Sequence, residues 1–210
     1  DGNTKATINN LGTKSVNVNV STNVATLTID GTGAQTNDAA VITLKGGALA
    51  LNNNAAGDQV ELVTLKSSTA ANTVTLDDDT SATAANVNTY TVLGDQALTL
   101  KVTTDDLAGD TLTNSGTSTV DVQFTDLNAA DLTKVKPTSF STGTTLATNL
   151  GAATLTFASG TTSLSVNATN GLDNVASVLK ADGSATTDVL NLVLAKDQDN
   201  FATTGYETVN

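Results

Sequence analysis

The amino-acid sequence predicts an all-β protein that folds as a parallel β-solenoid with at most one or two short helices. Short runs of alternating apolar and polar residues recur along the chain, and a period of two residues indicates strands with one buried face. Clusters of Gly, Asn, Asp and Ser separate these runs and favour turns. Aromatic residues make up only 3% of the chain, which disfavours the alternative of tandem antiparallel β-sandwich domains, whose cores usually contain bulky rings.

The alternating runs begin near the start of the chain, where Val16, Val18 and Val20 are separated by Asn17 and Asn19. Threonine fills many of the polar positions and is itself a good strand residue, so this low-complexity sequence is predicted to fold. The later runs, in chain order, are Leu27/Ile29, Val74/Leu76, Leu98/Leu100/Val102, Val120/Val122/Phe124, Leu155/Phe157 and Leu164/Val166.

Two segments have helical spacing. Residues 126–135 predict about three helical turns, with Asp126 as the N-cap and Pro137 as the stop signal. Residues 172–179 place apolar side chains at helical intervals, but their β-branched residues leave a strand as the alternative. These segments account for the one or two helices that we expect.

An irregular repeat supports a single repetitive unit. The sequence GDQ at Gly57 recurs at Gly94, and a shorter echo begins at Gly109, so the starting positions advance by 37 (94 − 57) and then by 15 (109 − 94). Inexact echoes of this kind suit a solenoid. We expect one elongated repetitive β domain over residues 1–210, as a fragment of a longer protein, with a subdivision near 126–140.

The amino-acid alphabet weakens most enzymatic hypotheses. The chain contains no His, Cys, Met or Trp, and its nine basic residues are all lysine. It therefore has no histidine base, no thiol nucleophile and no arginine clamp for phosphate. Paired carboxylates in a glycosidase or a polysaccharide lyase are an alternative, but only Tyr90 and Tyr206 are available as tyrosine platforms for a sugar. We do not expect an enzyme.

The chain is strongly acidic, with a formal net charge of −12 at pH 7 and a pI of about 4.1. A polyanion repels nucleic-acid phosphates and anionic lipid surfaces, so neither is an expected partner. No apolar run approaches the roughly 20 residues of a membrane-spanning helix. The charge instead attracts cations, and the hard oxygens of aspartate suit Ca²⁺.

Three acidic groups are therefore candidate calcium ligands. Each group concentrates carboxylates on a predicted loop, although the glycine-rich calcium nonapeptide is absent and the third group lacks the glycine and distant glutamate of an EF-hand loop. Solvated acidic turns are the alternative. The candidate metal ligands are Asp77, Asp78, Asp79, Asp105, Asp106, Asp110, Asp197 and Asp199.

The last segment of the chain carries a family resemblance. The sequence TDVLNLVL at 187–194, followed by GYETVN at 205–210, resembles a recurring coil of Gram-negative surface-layer (S-layer) and RTX-type surface proteins that are exported by type I secretion. The resemblance implies a secreted cell-surface protein in a calcium-dependent lattice that is anchored to lipopolysaccharide. Of the acidic residues in this segment, Glu207 has the placement of an architectural residue.

The functional expectation is therefore a structural one. We expect self-association into a two-dimensional surface-layer lattice, with strand edges and acidic loops contacting neighbouring subunits and Ca²⁺ bridging their carboxylates. Contact with lipopolysaccharide is expected through regions outside this fragment. The alternative is an adhesin or stalk module that binds a glycan or a host surface.

Overall fold

The structure is a computed structural model that describes residues 5–8, 15–20, 25–29, 38–53, 60–77, 87–172, 176–183, 187–198 and 200–210. Every strand pair within these residues is parallel. Neighbours within each sheet come from successive turns of the chain. The predicted β-solenoid is therefore confirmed, and the alternative of antiparallel sandwiches is wrong.

Sheet A runs through all of the described coils and contains ten strands. Its strands, in spatial order, are β1 (Lys5–Ile8), β3 (Thr26–Ile29), β5 (Gly47–Asn52), β7 (Asn72–Asp77), β9 (Leu98–Val102), β11 (Val120–Phe124), β14 (Ser139–Thr142), β16 (Thr161–Val166), β18 (Val189–Leu194) and β20 (Thr208–Val209).

Two shorter sheets form the second side of the solenoid, one after the other. Sheet B contains β2 (Ser15–Val20), β4 (Ala39–Leu44), β6 (Leu62–Ser67), β8 (Thr89–Gly94), β10 (Thr111–Asn114) and β13 (Val135–Lys136). Sheet C contains β12 (Ala130–Leu132), β15 (Thr154–Phe157), β17 (Val178–Ala181) and β19 (Ala202–Thr204).

One coil of the solenoid takes about 24 residues. Ser15 pairs with Ala39, an advance of 24 (39 − 15), and Leu98 pairs with Val120, an advance of 22 (120 − 98). Each coil adds one strand spacing of about 4.8 Å along the axis. The spacings of 37 and 15 residues between the sequence echoes do not match this coil length. The alternation of apolar residues repeats from coil to coil, whereas the amino-acid sequence of the turns does not.

The core is a set of apolar ladders inside the coils. Within sheet A, residues at one register position stack directly on each other and form the longest such ladder. Its members are Leu49, Val74, Leu100, Val122, Phe140, Leu164 and Leu192. All of them are buried except Leu192, which is partly buried in the last described coils. The alternating runs predicted from the sequence supply these ladders.

The helix predicted over 126–135 is wrong. The structure places β12 and β13 there, with Ala130 and Leu132 buried and Asp131 exposed between them. Asp126 does not cap a helix, because its carboxylate accepts the backbone N–H of Thr104 one coil earlier, at 2.8 Å. The second segment, 172–179, leads into strand β17, and its residues 173–175 lie outside the described part. A 3-10 helix at Asp105–Leu107 is the one helical element in the described residues.

The coil from β11 to β14 has three sides and marks a change of cross-section. It contributes the first strand of sheet C, β12, and the last strand of sheet B, β13. Pro137, the single proline of the chain, follows β13 directly; proline has no N–H for a strand ladder and is confined to edges and ends. In the next coil, residues 158–160 turn directly into β16, so sheet B has no further strand.

Aromatic side chains fill the interior at this change of cross-section. The rings of Phe124 and Phe140 stack with centroids 5.7 Å apart, and the ring of Phe157 meets Phe140 edge-on at 5.0 Å. All three rings are buried. Three of the six aromatic residues of the sequence thus lie where three sheets meet and the interior needs larger side chains.

Candidate functional site

The predicted calcium ligands of the second acidic group hold separate backbone groups. Asp106 accepts the N–H of Thr103 at 2.8 Å, and Asp110 accepts the N–H of Asn88 at 2.8 Å. Both carboxylates are buried, with exposures of 6% and 4%. The side-chain amide of Asn128 donates to Asp105 at 3.2 Å. These hydrogen bonds direct the carboxylates to different partners rather than to one common point.

The other predicted ligands are dispersed. Asp77, at the end of β7, accepts a side-chain hydrogen bond from Asn52 at 3.2 Å, and Asp197 has an exposed side chain. Asp78, Asp79 and Asp199 lie outside the described residues. Within the described residues, no group of three or more His, Cys, Asp or Glu side chains has the arrangement of a metal site. Binding of Ca²⁺ by the predicted residues stays a prediction.

Acidic and amide residues instead form a recurring corner at which the chain enters a strand of sheet B. Asp38, Glu61, Asn88 and Asp110 each stand immediately before one of the strands β4, β6, β8 and β10. Glu61 accepts the N–H of Asp38 at 3.0 Å, as Asp110 accepts that of Asn88. A side chain at the corner thus satisfies a backbone donor of the preceding coil, which costs free energy if it is left unpaired in the interior.

The same device appears in the last described coils, at the corner before sheet A. Asp188 precedes β18 and accepts the N–H of Gly160, while Glu207 precedes β20 and accepts the N–H of Asp188 at 2.6 Å. Asp188 is fully buried. The side-chain amide of Asn210 donates to Asn191 at 2.8 Å. The architectural role predicted for Glu207 is confirmed, but Glu207 is not alone in it, because Asp188 in the same segment has the same role.

These corner carboxylates were missed as a group by sequence reasoning, which treated most aspartates as loop residues. The available signal is positional: an acid or amide stands directly before an alternating apolar run, as in Asp110 before β10 and Asp188 before β18. Asp126 also holds a backbone N–H of the preceding coil, although it does not stand directly before a strand. Its second carboxylate oxygen accepts a hydrogen bond from the side-chain amide of Asn128 at 2.9 Å. Several of the acids are thus part of the framework.

Two titrating groups respond to their surroundings. Burial raises the pKa of Tyr206, whose hydroxyl donates to Thr162 at 3.4 Å, and the negative charge of Asp188 raises it further. The pKa of Asp131 is lowered, first by the hydroxyl of Thr133 and then by the N–H of Thr133, which donates at 3.0 Å. Hydrogen bonds to a carboxylate stabilise its charged form.

An open notch of about 260 Å³ lies where sheet B ends. It separates β13 from the turn at 158–160, in the place where a further strand of sheet B is missing. Its wall consists of buried side chains and its rim includes exposed ones. The lining residues are Val135, Lys136, Pro137, Phe140, Phe157, Ala158, Ser159, Thr161 and Thr162.

Comparisons with known proteins give no relative from which a function could be inferred, so the function is proposed from the fold and these contacts. No family model matches the chain, and no curated protein or solved structure matches it either. Among the residues that the structure describes, none belongs to a helix with the length and apolarity needed to cross a membrane.

Proposed function

We propose that this chain is a structural component of a bacterial surface layer and associates with copies of itself into a calcium-dependent two-dimensional lattice. The corner side chains carry this proposal. Asp110, Asp188 and Glu207 accept hydrogen bonds from backbone N–H groups of the preceding coil. These acids therefore stabilise the stacking of one coil on the next. These three carboxylates each accept a separate backbone N–H group rather than facing one common point.

The outer faces of the sheets suit lateral packing of such walls. On sheet B, Thr64, Thr91 and Thr113 lie in register on successive coils and form one column of short side chains. Outward side chains of this size leave a sheet face flat. A face of this kind is what a neighbouring copy needs for close contact.

The charge of the chain explains why a cation belongs to the proposal. Copies that each carry a formal charge of −12 repel one another on close approach. The exposed carboxylates of Asp77 and Asp197 are free of the buried corners and can bridge to acids of a neighbour through Ca²⁺, which takes six to eight oxygen ligands. The lattice contact would then bring ligands from two chains to one ion.

Export and surface location complete the proposal and rest on the resemblance of residues 187–210 to type I-secreted surface proteins. The absence of cysteine agrees with a chain that crosses the cell envelope unfolded and needs no disulfide afterwards. Attachment to lipopolysaccharide is assigned to regions outside this chain.

Electron microscopy of the full-length protein tests the proposal. We expect two-dimensional order in Ca²⁺ and dispersal after addition of excess EDTA, because removal of the bridging ion restores repulsion between copies. The double variant Asp77→Asn/Asp197→Asn should need more Ca²⁺ for order than the wild type. Asp131→Asn, which changes another exposed acid, is the matched control and should leave the requirement unchanged.

The outcomes separate the parts of the proposal. Order that persists in excess EDTA keeps the lattice and removes calcium from it. Isolated rods at every Ca²⁺ concentration contradict the lattice and favour the adhesin or stalk module, in which the solenoid displays a binding surface without associating with itself.

A further inference from the structure

The notch at the end of sheet B has the properties of a small-ligand site, and we propose that it binds a sugar unit that carries a carboxylate. Pockets with an apolar lining and a few polar groups are the usual binding sites of proteins. The notch, at about 260 Å³, is lined by five apolar and four polar residues, a more even mixture than in most pockets. That volume is near the lower limit for ligand pockets, roughly 300 Å³, and therefore suits one sugar ring rather than a longer chain.

The walls of the notch are preformed. Phe140 is held between Phe124 and Phe157 by ring contacts, so the apolar wall cannot collapse without breaking the core. On the other side, Gly160 has a φ of +105° and its N–H is bound by the buried carboxylate of Asp188. This bond fixes the turn that forms the opposite rim, and a preformed site loses less entropy when it binds a ligand.

The charge of the lining selects an anion. The nine lining residues include Lys136 and no acid, although acidic residues outnumber lysines by 21 to 9 in the whole chain. Lys136 is exposed on the rim and has three N–H donors for a carboxylate. The one charged side chain that lines the notch is therefore a cation, and the nearby carboxylate of Asp188 is buried on the N–H of Gly160, so Lys136 is the group that binds an anion.

The remaining lining matches the body of a sugar ring. Ser159 and Thr161 present exposed hydroxyl groups at the rim, which donate and accept hydrogen bonds with sugar hydroxyls. Pro137, with Val135 and Phe140 behind it, offers an apolar wall for the C–H face of the ring. A sugar has both kinds of surface, whereas a simple anion has only the charge.

A peptide strand is a poor occupant of the same notch. Strand β13 ends at Lys136 and is followed directly by Pro137, and both residue types discourage addition of a strand to a sheet edge. Proline also lacks the N–H that a second ladder bond requires. This edge therefore disfavours pairing with a further strand, but a small molecule can still reach it.

An NMR titration of the ¹⁵N-labelled chain tests the inference. We expect sodium D-glucuronate, at concentrations up to roughly 20 mM for millimolar affinity, to shift the amides of residues 135–137 and 158–162 in a saturable manner. D-Glucose at the same ionic strength should bind about two- to fivefold more weakly, because an exposed ion pair contributes up to about 1 kcal/mol. Lys136→Gln should remove the difference between the two sugars, whereas Lys134→Gln, two residues earlier and outside the lining, should preserve it.

Each remaining result overturns the inference. Absence of saturable shifts in these amides with glucuronate excludes the site. Sodium acetate that shifts the same amides with equal affinity reduces the notch to a simple anion contact. Because the titration measures single chains in solution, failure here leaves the proposed lattice untouched, and failure of the lattice leaves the sugar site intact.

Discussion

The solenoid has two regions that share sheet A and differ in the sheet that completes each coil. In the first, which we call the AB region (β2 to β11), sheet B forms the second side; in the AC region (β14 to β20), sheet C does. Acidic and amide corner residues precede strands of sheet B in the AB region, as at Asp110, and strands of sheet A in the AC region, as at Asp188. The corner device therefore does not belong to one sheet.

The comparison indicates what the fold requires. A coil needs a parallel ladder, an apolar interior and an acceptor for the N–H groups at the corner where the chain enters a strand, because such groups are costly when buried and unpaired. Sheet B can end and sheet C can begin as long as these conditions are met. Between the two regions, stacked phenylalanine rings fill the interior.

The largest effect is expected at the junction of the two regions. Phe140→Ala should lower the free energy of unfolding by about 4 kcal/mol, since it removes a buried ring and leaves a cavity, and the ring contacts both Phe124 and Phe157. Leu100→Ala on the same ladder, within the AB region, should cost about 3 kcal/mol. Urea unfolding followed by circular dichroism measures both changes.

Phe140→Leu is the matched control for this prediction. It keeps most of the apolar volume and should recover more than half of the lost stability. A cost below about 1 kcal/mol for Phe140→Ala would show that the rings are not a structural requirement of the junction.

A smaller effect is expected at the corners, and it should be similar in the two regions. Asp110→Ala and Asp188→Ala each leave a backbone N–H of the preceding coil without its acceptor, which costs about 1–3 kcal/mol. The Asn variants keep an acceptor oxygen of nearly the same shape and should cost less than half as much. Asp95→Ala, at an exposed position, should change stability by less than about 0.5 kcal/mol.

The result separates two explanations of the corner acids. If Asn proves as costly as Ala at both corners, the negative charge rather than the acceptor is what the fold uses. A large cost in only one region would contradict the equivalence of the AB and AC corners.

Much of the fold was predictable because strand periodicity is a local property of the sequence. The run at Val120, Val122 and Phe124 alternates cleanly and became β11, as the other alternating runs also became strands. The 24-residue coil was not predictable from repeated letters, since register depends on which side chains stack across coils. The helix predicted for residues 126–135 is wrong because their apolar spacing fits both a helix and a strand. The contact of Asp126 with Thr104, one coil earlier, favours the strand and is not visible in the local sequence.

The candidate sites were less predictable for the same reason. The acidic cluster predicts calcium ligands at Asp106 and Asp110, but the sequence does not show that each of them also accepts a backbone N–H group. The notch lies beside β13, where sheet B has no further strand. The alternation of apolar residues within a strand does not show whether a neighbouring strand is present, so the notch could not be predicted. Pro137 was the one sequence signal for this end of sheet B. It predicts the end of a helix, but the structure places it after the last strand of sheet B.

The smallest effect concerns Asp131 on the outer face of sheet C, a position without a corner role. Hydrogen bonds from Thr133 lower its pKa below the ordinary value, so its charged form is stabilised in the folded state. That contribution is present above the unfolded pKa of about 3.9 and is lost as the pH falls through the lower folded pKa. Because Asp131 is exposed, solvent screening keeps this contribution small.

Thr133→Ala removes the hydroxyl, the larger of the two hydrogen-bonding causes, and keeps the N–H. The pKa of Asp131 should therefore rise towards its ordinary value, as measured by carboxyl ¹³C chemical shifts against pH. Thr156→Ala is the control, because Thr156 pairs with Asp131 in the sheet register and is not among the causes of the shift. An equal rise in both variants would mean that the face of sheet C, rather than the Thr133 turn, sets this pKa, and that surface acids of the solenoid also depend on the stacking of coils.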